Sequence, residues 1–267
     1  MPLTLARFGR SISVAFCALL GAGSASAQTT SDSFGDLWQV GGFVYVSPSY
    51  EGGKSYEVVG FPFAAPAGFS DDGALQVKAM DDIRFRLIRT GAFEFGPLAG
   101  YRFGRDESDA ARLVGMGDVD GGFVVGAFGT YRAGPFAASI SYHHQATGDD
   151  TGGLIRFGVE HMQRLSPALK ITTSVGTNYA SEDYMTNFFG VSVAQSFAGV
   201  LLPYNASAGF KDVHAGVTAS LDLNDRWTLM LIGRYARLIG DAADSPVIET
   251  ENQFYGGLGL SYKFNLR

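Results

Sequence analysis

Eleven residues near the C-terminus, Phe254-Tyr-Gly-Gly-Leu-Gly-Leu-Ser-Tyr-Lys-Phe264, restrict this chain more than any other stretch. Phe254, Leu258, Leu260, Tyr262 and Phe264 share one parity, and Gly257, Gly259, Ser261 and Lys263 share the other. A strand sends successive side chains to opposite faces, so alternation over about ten residues suits a wall with lipid outside and water inside. The expected fold is all-β, a transmembrane antiparallel up-and-down β-barrel over residues 28–267.

The N-terminus reads as an export signal at residues 1–27. Arg7 and Arg10 precede the apolar run Ile12 to Ala22, and Ala25-Ser26-Ala27 offers a small-x-small cleavage site. That run is shorter than the roughly 20 residues of a transmembrane helix, and no later stretch is long enough, so any span in the mature chain is β. Removing the signal takes two arginines and no acid, moving the formal charge from −6 to −8. An acidic chain disfavours nucleic acid as a partner. Cys17, the only cysteine, lies in the signal, so the mature chain has no thiol chemistry. Thirty-six glycines, 21 phenylalanines and 12 tyrosines fit a wall whose apolar band is half of each strand. The alternative is a secreted β-sandwich.

Other segments carry the same period. Trp38, Val40, Val44 and Val46 share a face, as do Phe93, Phe95, Ala99, Tyr101 and Phe103. Hairpins are expected at Arg132-Ala-Gly-Pro135, Arg164-Leu-Ser-Pro-Ala168 and Asn224-Asp-Arg226. Longer connections, 104–118, 145–153, 180–209 and 240–252, read as polar and alternate with these turns, as external loops do with periplasmic ones. Eleven segments result if Ala74 to Arg89 is one strand. A tight turn at Asp81-Asp82 makes twelve, the even number a bacterial barrel favours, with ten as the alternative. The extra strand could instead lie in Phe188 to Ala194.

No Gly-x-Ser-x-Gly, His-Glu-x-x-His or Cys-x-x-Cys pattern is present, and no catalytic, cofactor or metal residue is expected. His143 and His144 are strand neighbours on opposite faces and read as an interface pair. Asp118-Val-Asp120-Gly121 lacks the later acid of a calcium loop and reads as a structural turn. Asp106, Glu107, Asp109, Asp149 and Asp150 read as solvated loop charge, with ion-bridged lipopolysaccharide a weaker reading. Arg84, Arg86, Arg102, Arg156 and Arg234 share the inward parity with Glu94 and Glu160. In a narrow barrel such charges pair and fill the lumen; in a wide one they set ion selectivity.

Longer strings add a family resemblance. Tyr184-Met185, Phe189-Gly-Val-Ser192 with Gln195, Leu202-Pro-Tyr204 and Ala208-Gly-Phe-Lys-Asp-Val213 together resemble the MipA/OmpV family of outer-membrane proteins. So do Tyr101-Arg-Phe-Gly-Arg105, Gly115-Met-Gly-Asp-Val-Asp120 and Arg237 to Ile248, which holds the loop residues Gly240, Asp241, Asp244, Ser245 and Pro246. The resemblance implies a non-enzymatic outer-membrane scaffold between a murein-degrading lytic transglycosylase and a murein-synthesising penicillin-binding protein. It would sit among outer-membrane lipid and lipopolysaccharide and dock through its periplasmic turns or residues 28–36. A small-solute channel and a surface adhesin are the alternative functions.

Overall fold

The computed structural model describes residues 37–66, 74–149 and 151–265. The predicted export signal and residues 28–36 lie outside the described residues. Thirteen strands form one sheet: β1 Leu37–Pro48, β2 Tyr56–Pro66, β3 Leu75–Ala79, β4 Asp82–Phe85, β5 Ile88–Thr90, β6 Phe93–Arg102, β7 Gly122–Ala133, β8 Phe136–Gln145, β9 Gly153–Arg164, β10 Leu169–Ala180, β11 Gly209–Asp222, β12 Trp227–Leu238 and β13 Asn252–Asn265. Every ladder is antiparallel. Neighbours follow chain order from β3 to β13, and β13 then pairs with β1, which pairs with β2. Joining the last strand to the first is how an up-and-down sheet curls toward closure. Among the described residues no ladder joins β2 to β3.

Both β4 and β5 pair with β6, so Asp82 to Thr90 is one stave interrupted near Phe85, and the sheet has twelve staves. The tight turn within Ala74 to Arg89 exists, centred on Met80-Asp81. Phe188 to Ala194 is not a strand. It joins α1 (Glu182–Phe189) to α2 (Val193–Ala198), because Ser181 and Ser192 cap two helix starts there.

The parity read from sequence becomes the two faces of the wall. Phe254, Leu258 and Leu260 on β13 are exposed on the outer face, as are Val40 and Val44 on β1 and Phe93 and Phe95 on β6. Aromatic pairs gather near both ends of the staves. Tyr101 with Phe123, Tyr179 with Phe210 and Tyr235 with Phe254 lie towards the long loops. Phe93 with Tyr131, Phe136 with His161 and Trp227 with Tyr262 lie towards the short turns. Amphipathic rings at two levels flanking an apolar band are what the two headgroup regions of a bilayer select. The hydrophobic clusters of the interior sit mostly among the long connections at one end of the staves.

Candidate functional site

Even-numbered residues of β6 and β7 and odd-numbered residues of β8 point into the lumen, where the charges are paired. Glu94, 1% exposed, receives Arg132 at 3.1 Å and Arg86 at 3.3 Å, with Arg89 at 3.7 Å. Arg84 makes a two-point contact with Asp82 at 2.8 and 2.9 Å and lies over the ring of Phe128. At the tip of the β3–β4 hairpin, both carboxylate oxygens of Asp81 accept from Arg156 of β9, one at 3.0 Å, and Arg102 stands 3.8 Å away. The Asp81 carbonyl also lies 3.1 Å from His143 Nδ1. Lys78 reaches Glu160 of β9 at 2.9 Å. The hairpin is therefore pinned to strands well removed from it in the sheet order, and this sector of the lumen is filled.

Ser141 and His143 form a hydroxyl–imidazole contact of 2.9 Å inside this network, the geometry of a nucleophile beside a base. Both are buried, at 2% and 0% exposure, which keeps a substrate carbonyl out of reach. The contact satisfies polar groups that the packed lumen would otherwise strand. Among the described residues no group of three or more His, Cys, Asp or Glu is arranged to hold a metal ion.

The long connections form a cap with its own core. Met185, Phe188 and Phe189 of α1 pack on Leu238, Ile248 and Ala242 of α3 (Gly240–Asp244), while Tyr50, Leu113, Met116, Val191 and Val247 form a second cluster. Hydrogen bonds tie the loops together: Ser245 Oγ donates to the Phe189 carbonyl at 2.5 Å, Arg112 Nε to the Pro246 carbonyl at 2.6 Å, and Tyr50 to the Val247 carbonyl at 3.2 Å. Burial pushes the Tyr50 phenol up to about 12, and the neighbouring Glu249 carboxylate adds to the rise. Under the cap, Tyr184 donates to Glu51 at 2.9 Å, and Lys211 pairs with Glu51 and, at 2.9 Å, with Asp212.

The residues singled out from the sequence thus fall into two groups. Arg84, Arg86, Glu94, Arg102, Arg156 and Glu160 lie in the paired sector. Arg234 stands apart, its guanidinium 5.7 Å from the ring centre of Tyr255. Of the loop residues, Gly240 opens α3 with φ +55, Asp241 accepts from the Ser207 amide at 2.8 Å, and Ser245 and Pro246 clamp the cap. Asp244 ends α3 and lies near Tyr204, whose phenol is raised chiefly by burial and also by Asp241 and Asp244.

Three expectations change. His143 is lumenal and fully buried, not an interface residue, although His144 does face the other way, against Tyr142. The acidic run is structural: Asp106 and Asp109 make a capping box, and Glu107 accepts from the amides of Gly115 and Gly117. The long loops are not merely polar, because their apolar residues build the cap. Lys78, Asp81 and Asp82 escaped the parity argument because they sit at a hairpin tip, where alternation breaks. Arg132 followed the inward parity and was legible in principle, whereas Lys211 shares the outward parity of Val213 and is turned inward by a register shift between β10 and β11.

The sequence relatives agree with this architecture. The outer membrane protein Omp26La of Vibrio anguillarum is 26% identical over 178 residues, covering 67% of this chain and 66% of that protein. OmpV of Vibrio cholerae is 25% identical over a stretch of the same coverage. The MltA-interacting protein of Escherichia coli is 27% identical over 96 residues, 36% of this chain and 38% of that protein. The chain thus spans about two thirds of the length of the first two relatives or less of the third. Among solved structures, a porin refined at 1.8 Å is similar at 9% identity, with TM-score 0.35, over 85% of this chain and 99% of that one. The family described as MltA-interacting protein MipA matches residues 40–264, from β1 into β13, and the chain belongs to this family of outer-membrane β-barrel proteins.

Proposed function

We propose that this protein is a barrel that does not conduct solutes freely and that holds cell-wall enzymes at the periplasmic face of the outer membrane. The observation that carries this reading is closure: lumenal charges are neutralised across one sector by β3–β4, and the cap roofs the end with long loops. A barrel closed in this way offers its surfaces rather than a passage. The name of the Escherichia coli relative points to a murein enzyme as the partner class, and the family resemblance adds a murein synthase.

The end with short turns is the periplasmic end in bacterial barrels. There Leu165 of the β9–β10 turn and Leu223 of the β11–β12 turn are each about half exposed. Arg164, Lys170, Asp225 and Arg226 flank them. A stable interface buries about 800 Å² on each partner, so neighbouring turns must act together. Photo-crosslinkers placed at Leu165 and Leu223 in intact cells are expected to capture a lytic transglycosylase or a penicillin-binding protein, and L165E with L223E to lower the yield. Capture of neither enzyme from the rim, with assembly intact, refutes the scaffold.

A further inference from the structure

The lumen has a second, different wall. Phe43 and Tyr45 of β1, Phe61 and Phe63 of β2, and Met230 and Ile232 of β12 lie on the inward parity, beside Gly257 and Gly259 of β13. A Cβ on Gly257 would fall 2.6 Å from the Phe43 ring, and one on Gly259 would also strike it, so the glycines let the rings lie flat on the wall. Inward aromatic and aliphatic side chains are unusual where water fills a barrel. Met230 is 37% exposed although it faces inward, so this sector is not packed shut as the charged sector is.

At the capped end of the stripe stands Arg234. Its buried Nε has no hydrogen-bond acceptor among the described residues. Its guanidinium rests near Tyr255, with Tyr45 and His214 within electrostatic reach. At this end the carboxylates of Glu51 and Asp212 are engaged by Lys211, and His214 also bonds Asp212. At the other end Lys263 pairs with Asp222 at 3.5 Å. The stripe thus ends in a cation that lacks a close anionic partner, below a roof that includes the buried Gln253 and Tyr50.

We infer that this stripe is a binding site for a single-tailed organic carboxylate, whose head takes a two-point contact from Arg234 and whose apolar tail lies along Phe43, Tyr45, Ile232 and Met230. Guanidinium and carboxylate match as a fork, and the tail gains from leaving water. Arg234 to Met230 spans about 13 Å of strand, room for an extended tail of roughly ten carbons. The site does not depend on any periplasmic partner.

The test uses the mature chain in nanodiscs, with protein-free nanodiscs as the background for lipid partitioning. A dansyl-labelled fatty acid is the probe, decanoate the competitor and decanol the neutral control. Decanoate is expected to displace the probe while decanol does so far more weakly, and R234Q to weaken decanoate about tenfold or more. R234K, which keeps the charge, should lose less, and F43S should weaken both competitors alike. Crosslinking at Leu165 should be unaffected by R234Q, so this site and the scaffold fail separately. Displacement equal in protein-free discs, equal potency of decanol and decanoate, or an R234Q protein that binds like the wild type overturns the assignment. If R234Q does not assemble, R234K binding no tighter than decanol competition allows has the same effect.

Discussion

Asp81 is the point at which the closed lumen can be tested most directly. In Asp81→Ala the Arg156 guanidinium loses both of its acceptors on that carboxylate, and Arg102 loses its nearest acid. Removing one member of a buried ion pair typically costs about 3–5 kcal/mol, because the remaining charge stays desolvated. The Arg156 side chain is 24% exposed and keeps some water, which places the expectation near the lower end, about 3 kcal/mol. Asp81→Asn preserves the shape and one acceptor and should lose about half as much. Arg156→Gln in the Asp81→Ala background removes the stranded charge, so the double variant should be more stable than the sum of the two single changes by about 1–2 kcal/mol.

The assay is urea unfolding of barrels refolded into lipid vesicles, followed by tryptophan fluorescence and by the gel shift of unheated samples. Asp81→Ala within about 0.5 kcal/mol of wild type, together with additive single and double changes, would refute a pinned hairpin. The same variants report on the lumen. Wild type in planar bilayers should show only rare, small openings, and Asp81→Ala should add frequent ones as the β3–β4 tip leaves Arg156 and His143. Steady large conductance from the wild type would count against closure itself.

The cap gives two further tests. Phe189, the last residue of α1 and fully buried in the cluster that holds Ala242 of α3, should destabilise the cap by about 3–5 kcal/mol when changed to Ala; trypsin should then cut at Arg112 while the staves remain folded. Alkali supplies the other: a phenol raised above its usual value favours the folded cap below pH 10, and that contribution disappears as pH climbs from 10 towards about 12. Cleavage at Arg112 should therefore accelerate across that window in wild type, and Tyr50→Phe should flatten the part of the response that Tyr50 supplies. An unchanged pH profile in Tyr50→Phe would remove Tyr50 from the linkage.

What the chain disclosed about itself depended on where the period of two holds. From Phe93 onward the staves are regular apart from one register shift between β10 and β11 beside Lys211, and the hairpins fall at Gly134, Ser166 and Asn224. The period fails at Met80-Asp81, where the backbone turns and the side chain of Asp81 is aimed by the hairpin rather than by its place in a strand; its partners on β8 and β9 are remote in sequence, so no local pattern could name them. The cap was hidden for a different reason. Its apolar residues come from four separate connections, and Phe188 and Phe189 look like strand residues until Ser181 is seen capping a helix. The inner aromatic stripe is the most instructive case. Met230 and Ile232 blur the inner face when β12 is read alone, as though the register were uncertain. Set beside Phe43 and Phe61, which reach the same sector only because β13 pairs with β1, they form one continuous surface. The departure from alternation is then a feature of the lumen, and Arg234 is the charge that gives that surface a direction.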